Sequence, residues 1–197
     1  MGGSANEFAE YFAKFEKMQR WIVNDLTRAT TKAQANFLVA MGVFNYLEIL
    51  GSFCTKKNST DRFNFVFKEL LPKPYKVVFD KLEQITNGAY DCLRCGMTHE
   101  YMVKTYTMRK TMSSIDFTVY GVDDEAGFVR NVLTKDCGLE LVELEKDKYH
   151  VRVYNPRLII DLNTAFEALK KKLINDDAGY RAKFVARCKE IGLEKLT

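Results

Sequence analysis

The chain holds only two histidines, His99 and His150, and one tryptophan, Trp21, so imidazole chemistry has two places to occur. It lacks any apolar run near the about 20 residues that a membrane-spanning helix needs. The opening residues Met1 to Asn6 have neither the basic region nor the apolar core of a signal peptide. Asn6 stands where a myristoylation signal wants Ser or Thr. The five cysteines, Cys54, Cys92, Cys95, Cys137 and Cys188, form an odd set without the spacing of a disulfide framework. A reducing, cytoplasmic setting is therefore expected. No Gly-rich phosphate loop, Gly-x-Ser-x-Gly elbow or His-Glu-x-x-His helix occurs, which excludes the usual signatures of P-loop enzymes, α/β-hydrolases and zincins. There is no internal repeat and no low-complexity tract, so neither a solenoid nor a disordered tail is expected.

What is present suits a folded domain. Of 197 residues, 47% are hydrophobic and 13% aromatic, enough for a substantial core. The net charge of +4 is a weak pointer to a polyanionic partner, but its distribution says more. Residues 1–110 carry 16 Lys and Arg against 11 Asp and Glu, and residues 111–197 carry 14 against 15. The basic excess lies in the first half.

Periodicity predicts a mainly α protein: an antiparallel helical bundle over residues 5–110, then a small mixed α/β appendage over 111–197 that contains a β-hairpin. No linker separates them, so a single compact unit fits as well as two domains. Phe8, Phe12, Phe15, Met18, Ile22, Leu26 and Ala29 make the apolar stripe of a first helix, with Trp21 flanking it. Phe37, Ala40, Met41, Phe44, Leu47 and Leu50 make a second, on which Ala40, Gly42 and Gly51 permit close packing. Asp61 is read as the N-cap of a third helix ended by Pro72 and Pro74. Val78, Leu82 and Ile85 mark a short fourth segment closed by Asn87 and Gly88. A further helix is expected from about Ala89 to about Thr107.

The second half changes period. Ile115, Phe117 and Val119 alternate as in a strand, Asp123–Leu133 reads as a short helix, and Leu139–Leu144 with Tyr149–Tyr154 read as a hairpin ended by Pro156. Helices are expected again at about Asp161–Ile174 and Asp177–Ile191, with Gly192 as a stop.

Chemistry concentrates in the run Arg94-Cys-Gly-Met-Thr-His99-Glu-Tyr101. Arginine offers phosphate a permanent planar cation, and histidine moves protons near neutral pH. Together they suffice to work on a phosphodiester without a metal. On a straight α-helix at ~100° per residue, Arg94 and Tyr101 share a line while His99 lies ~140° round from Arg94. Three resolutions remain open: a bent Arg94 side chain, a helix loosened at Gly96, or a second copy of the segment across a two-fold axis.

The spacing Arg94-x4-His99-x-Tyr101 resembles the signature of the HEPN superfamily, the higher eukaryotes and prokaryotes nucleotide-binding domains. The resemblance covers these eight residues and the general helical layout. It implies a compact helical bundle and, in many members, a metal-independent endoribonuclease that acts as a homodimer with its motif helices facing each other. It also implies that the motif tyrosine of toxin–antitoxin members can be nucleotidylated by a partner nucleotidyltransferase, the antitoxin. Two features depart from the pattern: Cys95 follows the arginine where active members often have a polar residue, and residues beyond 111 have no counterpart in the minimal domain.

The resemblance gives Arg94, His99 and Tyr101 catalytic roles. Lys104, Arg109 and Lys110 follow on the same segment and are candidates to track an RNA backbone. Asn45 and Glu48 interrupt the apolar face of the second helix. They are either partners that support Arg94 or the edge of the stripe. No cofactor and no metal is called for. A zinc site at Cys92, Cys95 and His99 is disfavoured because no companion cysteine pair is in sequence. A redox Cys-x-x-Cys lacks a thioredoxin-like context. The plainer readings make Arg94 a surface partner of Asp91 or Glu100, His150 part of a solvated strand face, and Lys170 to Lys172 a solvated helix face. Three hypotheses follow: an RNase, a non-catalytic module that binds RNA, a nucleotide or a protein, and a structural interaction module.

Overall fold

In the computed structural model, which describes residues 3–96, 106–107, 114–122, 125–176 and 179–193, the chain folds as a mainly helical protein with a small mixed sheet. Tyr11, Phe15, Ile22 and Leu26 recur at helical spacing and are buried, which sets the inner face of a long first helix, α1 (Gly3–Thr31). Trp21, expected beside the core, is exposed, with the Lys17 ammonium 4.9 Å above its ring.

Helix α2 (Asn36–Ser52) buries Val39, Ala40, Val43, Phe44, Leu47 and Leu50. A helix apolar on so many sides belongs inside, and α2 contacts both α1 and a third helix, α3 (Ser59–Glu69). A Cβ at Gly51 would stand 2.1 Å from the Arg62 carbonyl oxygen, so the two backbones touch there only because residue 51 has no side chain. Asn58, not Asp61, caps α3. Its backbone is extended and its side chain accepts from Asp61 N at 2.8 Å, while Asp61 is already inside the first turn.

Pro72 and Pro74 open helix α4 (Lys73–Ile85) rather than merely ending α3, because the first turn of a helix tolerates a residue without an N–H. Its inner stripe is Tyr75, Phe79, Leu82 and Ile85, and Val78 is only half-buried.

The helix expected from Ala89 to Thr107 differs most. Tyr90–Cys95 is π-helical, with the Gly96 N–H bonded to the Asp91 carbonyl. Tyr106–Thr107 is a strand, β1, paired antiparallel with β2 (Ser114–Tyr120) in the register Tyr106 to Ile115. Pairing covers the edge of β2 at Ser114 and Ile115, which would otherwise expose unpaired backbone groups there.

The sheet order is β1-β2-β4-β3. The expected hairpin is β3 (Leu139–Glu145) and β4 (Lys148–Tyr154), turned at Asp147 with φ 60°. β2 and β4 run parallel, joined through α5 (Glu125–Thr134) and β3. Ile115, Phe117 and Val119 lie in register with Tyr149, Val151 and Val153.

Helix α6 (Asn155–Asn175) follows β4 directly and starts well before Asp161, with Pro156 in its first turn. The Asn155 amide donates to the Asn36 carbonyl at 2.7 Å, fastening this corner to the start of α2. Helix α7 (Tyr180–Glu190) ends before Gly192, which takes φ 67°. Its expected start at Asp177 lies outside the described residues. α6 packs on α1 and α2, and α7 on α1 and α6. One core therefore runs from Tyr11 to Leu193, and the last two helices join the helices of the first half around it. At its middle, Phe15 meets Phe53, Phe166 and Phe184 at centroid distances of 5.2, 5.3 and 5.4 Å.

Candidate functional site

The motif segment enters through a pinned turn. Thr86 Oγ1 donates to the Leu82 carbonyl at 2.6 Å and accepts from Gly88 N at 3.0 Å. Glu83 Oε1 accepts from Ala89 N at 2.7 Å. The chain then enters the π-helical turn, where Cys92 and Leu93 point into the core and Asp91 is exposed. Gly96 itself has ordinary right-handed dihedrals, φ −57° and ψ −46°. The departure from α geometry thus precedes Gly96. Angles reckoned for an α-helix do not apply to Arg94, because closure from i to i+5 puts more residues in each turn.

Arg94 meets Glu48. Its Nε stands 3.4 Å from Glu48 Oε2, and the two side chains are 22% and 18% exposed. At that distance the contact is an ion pair rather than a tight hydrogen bond. The Tyr90 hydroxyl approaches the same Glu48 oxygen at 3.5 Å, and its ring packs edge-on against Phe63 at 5.5 Å. Burial, and after it the Glu48 carboxylate, push the Tyr90 pKa above its ordinary value. Tyr90 was not anticipated from sequence. Its only signal was a place one helical turn before Arg94.

Asn45 is half-buried on α2, three residues before Glu48 and so on the same face. His99, Tyr101, Lys104, Arg109 and Lys110 lie outside the described residues.

The surroundings of the two cysteines beside Arg94 favour the thiol form. Burial, then Asp91, push Cys92 up to about 12 and raise Cys95 as well. Among the described residues no group of three or more His, Cys, Asp or Glu side chains is placed to hold a metal ion.

Other residues singled out from sequence land as follows. Lys170 is mostly buried and pairs with Glu167 at 2.7 Å and Glu16 at 3.5 Å, and Lys172 pairs with Glu69 at 3.7 Å. Lys170 and Lys172 are thus held by ion pairs, while Lys171 between them is exposed as expected. His150 is half-buried on β4, between Asp116 and Val142 in the sheet register. Two residues on, Arg152 belongs to a polar cluster that sequence reasoning missed. Tyr154 Oη donates to Glu140 Oε2 at 2.8 Å, with Arg152 at 3.4 Å from the same oxygen. The Lys135 ammonium lies 4.0 Å above the Tyr154 ring, and Tyr120 stacks on it at 5.0 Å. Lys135, Glu140 and Tyr154 of this cluster line one side of a groove of about 500 Å³ between α4 and β3. Among the described residues no helix is long and apolar enough to cross a membrane. Compared with protein-family models, with curated proteins and with solved structures, the chain matches none.

Proposed function

We propose that this protein is a metal-independent endoribonuclease of HEPN type, working as a homodimer in which two copies of the motif segment face each other across a basic cleft. The observation that carries the reading is the setting of Arg94. It stands five residues before His99, at the end of a π-helical turn, held by a carboxylate on the neighbouring helix. π-Helical turns occur frequently at functional sites, and a guanidinium oriented from behind is ready for phosphate.

The chemistry needs no cofactor. His99 takes the proton of the ribose 2′-OH, and the 2′-oxygen attacks phosphorus. The bond from phosphorus to the 5′-oxygen breaks, and a protonated imidazole returns a proton to that oxygen. The products are a 2′,3′-cyclic phosphate and a 5′-hydroxyl. Arg94 stabilises the charge that develops on the phosphate, and Tyr101 positions the phosphate or His99 through its hydroxyl. Lys104, Arg109 and Lys110 track the RNA backbone. DNA lacks the nucleophile and is not cut. A partner nucleotidyltransferase acting on Tyr101 would make the protein a toxin of a toxin–antitoxin pair.

One observation favours a second reading, a non-catalytic module of the same descent that binds RNA, a nucleotide or a protein. Glu48 already neutralises Arg94 in part, which suits an arginine kept for structure or binding.

The test is cleavage of a mixed RNA pool in EDTA by wild type and His99→Ala at matched purity. Cyclic-phosphate ends from wild type, lost in the variant, support the RNase. Equal cutting by both points to a contaminant. No cutting by either moves the reading to the binding module.

A further inference from the structure

Away from the motif, the end of α2, the loop after it, α3 and α7 enclose a pocket of about 220 Å³ lined by Ser52, Lys56, Arg62, Lys183, Arg187 and Glu190. Four of those side chains are cationic and one is acidic, a local excess of three positive charges in a chain whose whole net charge is +4. Lys183, Arg187 and Glu190 stand at i, i+4 and i+7 on α7, so one helix face supplies half the lining. Like charges at i, i+4 destabilise a helix, and Lys183 with Arg187 is such a pair.

The lining is organised. Ser52 Oγ donates to the Ile49 carbonyl at 2.6 Å and accepts from Arg187 Nε at 3.0 Å. Glu190 holds Arg187 Nη1 at 3.0 Å. The contact of Gly51 with the Arg62 backbone fixes the base of the next cation. Arg62 Nε is buried, and among the described residues it has no hydrogen-bond acceptor. A buried donor left without an acceptor is unfavourable, and a small turn of the Arg62 guanidinium toward the pocket would let an anion supply one. Arginines suit phosphate best, because the planar fork matches its oxygens in pairs.

We propose that this pocket binds the phosphate group of a small phosphorylated ligand, a phosphomonoester or diphosphate, at a site separate from Arg94 and His99. The volume lies below the roughly 300 Å³ at which pockets begin to enclose drug-sized molecules. The phosphate is therefore the part enclosed, and the rest of the ligand extends outward past Lys56, which is exposed.

The test uses the full chain and pyrophosphate, followed by calorimetry and by amide shifts of residues 52, 62, 183 and 187. Saturable binding is expected, with shifts confined to this pocket and about a tenfold loss of affinity in Arg62→Gln, as for one charge-assisted contact. The double variant Lys56→Gln, Lys183→Gln keeps the test intact if Arg62→Gln fails to fold, and it too must bind more weakly. Binding that is unchanged in the variants, or no saturable binding by wild type, overturns the site. Binding of a 5′-phosphorylated RNA oligonucleotide without binding of pyrophosphate overturns the small-ligand assignment and gives this face to nucleic acid.

Discussion

The Tyr75 hydroxyl donates to Asp161 Oδ2 at 2.8 Å and accepts from Gly138 N at 2.7 Å, with both side chains buried. Arg157 Nε reaches both Asp161 oxygens at 3.0 Å. One phenol and one carboxylate thus tie α4 to α6 and to the turn before β3. Tyr75→Phe leaves the Gly138 N–H without a partner and leaves Asp161 with Arg157 alone, and about 1–3 kcal/mol of stability is expected to go. Asp161→Ala leaves the buried Tyr75 hydroxyl without an acceptor and Arg157 without its carboxylate, with only the Val132 carbonyl at 3.3 Å, and is expected to remove about 3–5 kcal/mol. Urea denaturation of the two variants checks the order. Equal losses would mean that the guanidinium finds water without penalty.

Three buried acids make stability depend on alkaline pH. Burial pushes Cys54 and Cys92 from 9.0 up to about 12, and burial followed by Asp161 pushes Tyr75 well above 10.0. Each folded pKa is raised, so each contribution is whole below the unfolded value and is lost as pH rises toward the folded one. The urea midpoint is expected to hold up to about pH 9 and to fall steadily between about pH 9 and 12. Cys92→Ala should flatten part of that fall.

The same burial predicts thiol reactivity. All five cysteines are free, and of these only Cys95 is not buried. A thiol reagent at neutral pH should modify Cys95 slowly in the native protein, because its pKa is raised too, and all five after denaturation. Fast native labelling at Cys54 or Cys92 would contradict the packing around them.

Gly51 and Gly96 look alike in sequence, two glycines in helical segments. A Cβ at 51 would meet the Arg62 backbone at 2.1 Å, whereas at 96 it would meet Asp91 O at 3.5 Å and Phe117 Cε2 at 3.9 Å. Gly51→Ala is expected to destabilise by about 1–3 kcal/mol through overpacking. Gly96→Ala is expected to be neutral or to stabilise by up to about 1 kcal/mol, the propensity gain of alanine. The thermal midpoint of Gly51→Ala should fall, and that of Gly96→Ala should hold or rise.

These contrasts show where sequence sufficed. The alternation of Ile115, Phe117 and Val119 and the hairpin around Asp147 were legible because period and turn chemistry are local. The cap of α3 lies one turn before Asp61, since Asn58 and Asp61 are both good caps and only the extended backbone at Asn58 separates them. The strand at Tyr106–Thr107 was hidden because its reason is the edge of β2, a tertiary partner. The π turn was hidden because it depends on which carbonyl the Gly96 N–H finds. The polar break at Glu48 is visible on an otherwise apolar helix and Arg94 is one of its two readings there, but only the fold brings the two side chains together. The cationic pocket was invisible because its charges come from three stretches of chain.

Glu48 and Arg94 give the sharpest test of whether the candidate site is organised or incidental. Both side chains are less than a quarter exposed, so the pair is screened less than a surface pair. A double-mutant cycle with Glu48→Gln and Arg94→Gln is expected to give a coupling of about 1–2 kcal/mol in stability. If Glu48 positions Arg94 for phosphate, Glu48→Gln should lower kcat for RNA cleavage by about tenfold with little change in KM, because the lost interaction acts on charge that develops only in the transition state. Glu48→Asp, which keeps the charge on a shorter arm, should recover part of that rate. A coupling without any change in cleavage would make the ion pair purely structural. Faster cleavage in Glu48→Gln would mean that the carboxylate restrains Arg94 rather than aiming it.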